Sequence, residues 1–167
     1  SYEMVEKKGP YFPKTIKTLN DIKNISFPDV HDNLSYVFEA IKITKSELKG
    51  KVPLIGFAGA PWTIFAYMIE GQGSKTFSKA KSFLYREPEL SHQLLGLITE
   101  TTIAYLKGQI SSGADLVQLF DSWAGILTYQ QYEEFGMKYV SKICDAVHEA
   151  PVTVFAKGAY FALENMK

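Results

Sequence analysis

The stretch Val52-Pro53-Leu54-Ile55-Gly56-Phe57-Ala58-Gly59-Ala60-Pro61-Trp62 decides the fold. Its first half is a continuous apolar run without polar alternation, the pattern of a strand buried on both faces of a parallel sheet. Its second half is a corner of glycine, alanine and proline closed by tryptophan. Small residues at a strand end let backbone approach a ligand closely, and Pro61 suits the first turn of a helix. The same strand-into-corner design returns as ADLVQLFDSWAG (residues 114–125) and as PVTVFAKGAY (residues 151–160).

Helical patterns separate these strands. From Asp29 onward, Val30, Leu34, Val37, Phe38, Ile41 and Leu48 share one face, and Gly50 supplies the stop. Short helices are expected from Pro61 through Tyr67 and from Thr76 to Tyr85, parted by Gly71-Gln72-Gly73, with Ser74 capping the second. Pro88 opens a long helix with Leu94, Leu97, Ile98, Thr101, Ala104 and Tyr105 as its inner stripe, ending near Ser111-Ser112-Gly113. Thr128 and Gln131 have capping-box spacing, and the helix they start buries Tyr132, Phe135, Tyr139, Val140, Ile143 and Val147. Ala162 and Leu163 begin a last helix. Residues 1–28, with Gly9-Pro10, Pro13 and Pro28 among lysines, read as extended segment and loop. The order α, β, α, β, α, β demands a parallel sheet with right-handed crossovers. A barrel and an open doubly wound sheet both satisfy it, and in both the ligand sits at the carboxyl ends of the strands.

Composition narrows the function. The 167 residues suffice for one domain with a sizeable core, and 46% hydrophobic with 22% charged residues is an ordinary globular mixture. A net charge of zero argues against a broad basic face for nucleic acid. Arg86 is the only arginine, so a bidentate clamp for carboxylates must come from elsewhere. The lone Cys144, on a helix, excludes an internal disulfide and a multi-cysteine metal site and reads as inert. His31, His92 and His148 lack the spacing of a zinc pair and read as surface or capping residues. Lys42, Lys45 and Lys49 follow an outer helix face. GQGSKT (residues 71–76) fails as a phosphate loop, because Ser74 stands between glycine and lysine and a helix precedes it. No apolar run reaches the roughly 18 residues of a membrane span, and the polar start carries no signal peptide. A cytoplasmic protein without membrane association is expected.

GFAGAPWTIFAYMIEGQGSK (residues 56–75), followed by VQLFDSWAG (residues 117–125) and VFAKG (residues 154–158), resembles the uroporphyrinogen decarboxylase family over essentially the whole chain and in the right order. The resemblance implies an α/β fold of the (β/α)8 TIM-barrel type, present here as a partial barrel with about three core parallel strands and their helices. A closed barrel takes about 250 residues, with a lower end near 200. Residues 1–167 are thus expected to be the central part of a single (β/α)8 decarboxylase domain, truncated at both ends. The family's arginine-rich segment and substrate-binding aspartate, and its C-terminal histidine motif, have no counterpart here.

The resemblance also implies the chemistry: decarboxylation of the acetate side chains of uroporphyrinogen III to methyl groups, giving coproporphyrinogen III, without cofactor or metal, in an enzyme that is commonly a homodimer. Protonating the pyrrole provides an electron sink, carbon dioxide departs, and the exocyclic carbon is reprotonated. Tyr67 and Ser122 match the family's active-site hydroxyls and are the expected catalytic pair. Neutral hydroxyls can hold a carboxylate without fixing its charge in place. Phe57 and Gly59 match residues lining the pocket. Asp121 and Lys157, both at strand ends, are further substrate-binding candidates. Taken without the resemblance, Tyr67 is a core aromatic, Ser122 a cap, Asp121 the partner of a lysine, and Lys157 a solvated side chain. Two other functions remain open: a cobalamin- or thiol-dependent zinc methyltransferase on the same barrel, and a non-catalytic assembly module covering its exposed sheet edges by association.

Overall fold

The computed structural model describes residues 3–5, 9–25 and 29–166; Pro28 lies outside them. Strands β1 (Glu3–Val5) and β2 (Gly9–Tyr11) pair antiparallel as a small hairpin. Helix α1 (Leu19–Lys23) follows, where only loop was expected. Its cause is a reciprocal cap: Asp21 N donates to Thr18 Oγ1, and Asp21 Oδ2 accepts from Thr18 N at 2.8 Å. The helix expected from Asp29 breaks at Leu34 into α2 (Val30–Asn33) and α3 (Ser35–Leu48), which ends on the left-handed Lys49.

The central sheet is β3 (Ile55–Gly59), β4 (Leu116–Asp121) and β5 (Val152–Ala156), in that order and all parallel. Between β3 and β4 lie α4 (Pro61–Glu70), α5 (Ser78–Arg86) and α6 (Pro88–Ser111). After β4 come α7 (Tyr129–Tyr132), a π-helical turn over Glu133–Met137, and α8 (Lys138–Ala146). The last segment, Tyr160–Met166, is a 3-10 helix. The expected α/β partial barrel of three parallel strands and their helices is present.

Several local details depart from expectation. The first-turn amides of α5 go to Glu70 Oε2, which accepts from Lys79 N and Ala80 N, while Ser74 Oγ takes Thr76 N and Phe77 N just upstream. The buried stripe of α6 runs through Leu94, Leu95, Ile98, Thr102, Leu106 and Gln109, because the helix is covered over a broad arc. Lys45 is not merely solvated: its Nζ lies 2.6 Å from both oxygens of Asp115, whose Oδ2 also accepts from Leu54 N. That amide, and then Lys45, hold the Asp115 carboxyl below its ordinary range. His92 is no simple surface residue either. It stacks on Phe135 and bonds Tyr139 Oη at 2.7 Å.

Parity along the strands divides the sheet. Ala58, Val117 and Leu119 are buried against α6 and α8, in a core with Ala60, Leu106, Val140, Ile143 and Val147, and Asp121 is buried on the same face beside Thr63 of α4. The opposite face carries Ile55, Phe57, Phe120 and Phe155, exposed at 51%, 61%, 37% and 48%. The expectation of burial on both faces of β3 therefore fails on one, because no described element covers it. On the helix side, Gly56 is required: a Cβ there would come within 2.6 Å of Gln109 Oε1. That buried amide accepts from Phe57 N and donates to Phe57 O, both at 2.9 Å, so it satisfies the edge strand as a neighbouring strand would.

Gln109→Leu leaves both Phe57 backbone groups without their partner. Urea unfolding followed by circular dichroism should show a loss of about 1–3 kcal/mol, the cost of orphaned polar groups.

Candidate active site at the strand ends

Because the strands are parallel and paired in register, with Gly59 opposite Phe120 and Asp121 opposite Ala156, their carboxyl ends lie side by side. The corner after β3 packs against the corner after β4. Ala60 N donates to Phe120 O at 3.0 Å, and Trp62 Nε1 donates to Trp123 O at 3.0 Å. Trp62 is fully buried, which explains the tryptophan that closes the opening motif: it ties one strand end to the next. The corner after β4 in turn meets the one after β5. Lys157 N donates to Asp121 O at 3.1 Å, and Gly125 N donates to Lys157 O at 2.9 Å. Any Cβ at Gly125 would sit 2.9 Å from the Gly158 backbone, and Gly158 itself has φ +76°. Both glycines are needed for that contact.

Tyr67 lies on α4, half-buried, its ring edge-on to Phe77 (centroids 5.7 Å) and to Trp123 (6.3 Å). Ser122 is half-buried in the turn after β4, one residue before that same Trp123. The two hydroxyl-bearing residues therefore share one end of the sheet. Among the described residues, neither hydroxyl is held by a hydrogen bond. Phe57 projects from the open face, and Gly59 is half-buried with Ile64 beside it. Lys157 is exposed at the end of β5.

Phe120 and Phe155 were not among the expected site residues. With Phe57 they form an aromatic row across the open face, Phe57–Phe120 at 5.9 Å and Phe120–Phe155 at 6.0 Å, both edge-to-face. Strand parity was the signal: all three stand on the side opposite Ala58, Leu119 and Val154.

Asp121 departs from expectation. Its parity points it into the helix layer, where it is fully buried, so it does not reach a ligand on the open face. Nor does it pair with a lysine. Thr63 Oγ1 donates to its Oδ1 at 2.7 Å. Tyr132 lies near enough to act on its charge but outside hydrogen-bond geometry, and both Asp121 Oδ2 and the Tyr132 hydroxyl are left unpaired. Burial raises the Asp121 carboxyl from 3.8 to about 6 against the opposing pull of Thr63 and Tyr132, and burial raises Tyr132 well above its usual range. The π turn and Gly136 make room for the Tyr132 ring: a Cβ at Gly136 would lie 2.4 Å from it.

Comparison with known proteins gives a consistent family. The uroporphyrinogen decarboxylase (URO-D) family model matches residues 1–167. The uroporphyrinogen decarboxylase of Christiangramia forsetii is 52% identical over 165 residues, covering 98% of this chain and 48% of the relative. Those of Flavobacterium johnsoniae and Schizosaccharomyces pombe are each 49% identical, with the same coverage. The chain thus spans about half the length of the curated relatives it matches. Among solved structures, a methyltransferase from Methanosarcina mazei superposes with a TM-score of 0.74 over 92% of this chain and 45% of its own, at 20% identity, a likeness of fold. No helix among the described residues is long and apolar enough to cross a membrane.

The buried carboxyl makes stability depend on pH. Its folded-state value, about 6, exceeds the ordinary 3.8, so the folded chain holds the proton more tightly. The stability contribution is fully present below pH 3.8 and is lost as pH rises through about 6. The loss is on the order of 3 kcal/mol. Chemical unfolding at pH 4.5 and pH 7.5 should reveal this fall, and Asp121→Asn should remove most of it.

Proposed function

This chain belongs to the uroporphyrinogen decarboxylase family, and we propose that the protein containing it decarboxylates the acetate side chains of uroporphyrinogen to methyl groups, giving coproporphyrinogen. Supporting this reading above all is the family match along the entire chain together with identities near one half. Residues 1–167 form the central part of a single barrel domain in this proposal. The barrel's mouth holds the substrate, and the open aromatic face of Phe57, Phe120 and Phe155 lines its interior.

Tyr67 and Ser122 are assigned to the reacting acetate. Their hydroxyls have no competing partner among the described residues and can donate to a carboxylate without the strength of an ion pair. Ground-state grip on that carboxylate must stay weak, because its charge disappears as carbon dioxide leaves. The aromatic wall keeps water from the reacting carbon and favours the dispersed charge of the transition state. Lys157 is available to a peripheral carboxylate, and Gly59 lets the chain come close at the strand end. The remaining carboxylates, the pyrrole nitrogens and the proton donor are assigned to parts of the protein outside this chain, since Arg86 is its sole arginine. A cytoplasmic homodimer that works without metal or cofactor completes the proposal. The methyltransferase likeness is one of fold and favours no second reading.

Carbon dioxide release from uroporphyrinogen by the full-length protein tests this directly. Tyr67→Phe and Ser122→Ala should each lower kcat by roughly a hundredfold to a thousandfold, the range for removing one positioned donor. The 167-residue chain alone should turn over slowly or not at all. Absence of product from the full-length protein would overturn the substrate; full activity in both variants would overturn the residue roles.

A further inference from the structure

We propose that Asp121 and Thr63 are a positioning pair: Asp121 orients the Thr63 hydroxyl, Thr63 grips the turn after β4, and the grip sets Ser122 against Tyr67. Neither residue touches substrate. The consequence for turnover rests on the decarboxylase assignment above; the clamp itself does not.

The Trp123 peptide is held on both sides by consecutive residues at the start of α4. Trp62 Nε1 donates to its carbonyl at 3.0 Å, and its own N–H donates to Thr63 Oγ1 at 3.4 Å. Thr63 Oγ1 also donates to Asp121 Oδ1 at 2.7 Å. Ser122 sits between Asp121 and Trp123, so both its neighbours are fastened to α4. Tyr67 stands four residues after Thr63 on that helix, one turn further along the same side.

The direction of the hydroxyl proton matters. An ionised carboxylate only accepts, so Thr63 must donate to it, which leaves an oxygen lone pair for the Trp123 N–H. A protonated Asp121 can donate instead. Even where the carboxyl goes on accepting from Thr63, that bond loses its charge assistance, so the hydroxyl is less firmly oriented and its grip on the Trp123 N–H loosens. The chemistry at Asp121 thus reaches Ser122 through one hydroxyl. Few other groups act on it. Thr63 on α4 is neutral and Tyr132 on α7 is the titratable group facing it; Lys157, just after β5, bonds the Asp121 backbone carbonyl and not the carboxyl. The carboxyl's raised value of about 6 puts the change within reach of mild acid.

The chain contains two tryptophans, and both belong to the clamp, so its intrinsic fluorescence reports on it. Emission of the 167-residue chain is followed from pH 4.5 to pH 8 for the parent, Thr63→Ser, Thr63→Val and Asp121→Asn, with far-UV circular dichroism recorded alongside. The parent and Thr63→Ser should titrate near pH 6. Thr63→Val, having lost the donor, should titrate higher, and Asp121→Asn should show no transition in this range. In the full-length protein, Thr63→Val should lower kcat by about tenfold or more, the effect of a small misplacement, with KM within about twofold, and Thr63→Ser should restore it. A parent titration retained in Asp121→Asn, or Thr63→Ser impaired as much as Thr63→Val, overturns the proposal. If the fluorescence behaves as stated while the full-length protein releases no carbon dioxide from uroporphyrinogen, the clamp stands and the substrate assignment falls.

Discussion

Two consecutive side chains at the start of α4 hold the strand ends together. Trp62 and Thr63 follow directly from the β3 corner and reach across to the turn after β4, one binding the Trp123 carbonyl and the other the Asp121 carboxylate. Parallel pairing already brings these ends to one level, but pairing stops at Gly59 and Asp121. Beyond that point the backbone would be free to diverge. The indole and the hydroxyl replace the missing ladder, and the Gly125–Gly158 contact does the same on the other side. Placement of Tyr67, Ser122 and Lys157 follows from those three fastenings.

The arrangement places polar chemistry where apolar packing would be cheaper. Asp121 occupies a fully buried position in line with Val117 and Leu119, and one of its oxygens has no partner. Such a group is costly to bury. What it returns is direction, since hydrogen bonds fix orientation in a way that van der Waals contact does not. The nearby π turn belongs to the same device: Gly136 clears space for the Tyr132 ring, which brings its phenol toward the carboxylate.

Much of this was legible in the sequence. Three apolar runs ending in small-residue corners gave the strands, and the Thr128–Gln131 spacing gave the cap that the structure contains. The six residues expected to be buried after that cap, Tyr132, Phe135, Tyr139, Val140, Ile143 and Val147, are all buried. The rest was hidden for identifiable reasons. Leu116 to Phe120 is apolar on both faces but for Gln118, so the run concealed the parity that turns Asp121 inward and Phe120 outward. The α1 cap uses aspartate in place of the usual glutamate or glutamine, so its spacing does not read as a capping box. His92 depends on Glu134 and Tyr139, 42 and 47 residues further on, contacts that no local pattern announces. The π turn has no periodic signature at all, since the apolar stripe continues through it.

The uncovered aromatic row has a further consequence, for biogenesis. Polypeptides emerge from the ribosome in order, and a parallel sheet gains its neighbours only after long intervening segments have been made. Any state in which these three strands have formed but their inner side has not yet been roofed presents Ile55, Phe57, Phe120 and Phe155 to water as a sticky stripe. The side groups that line the pocket in the function proposed above are the same ones that a molecular chaperone would bind during synthesis.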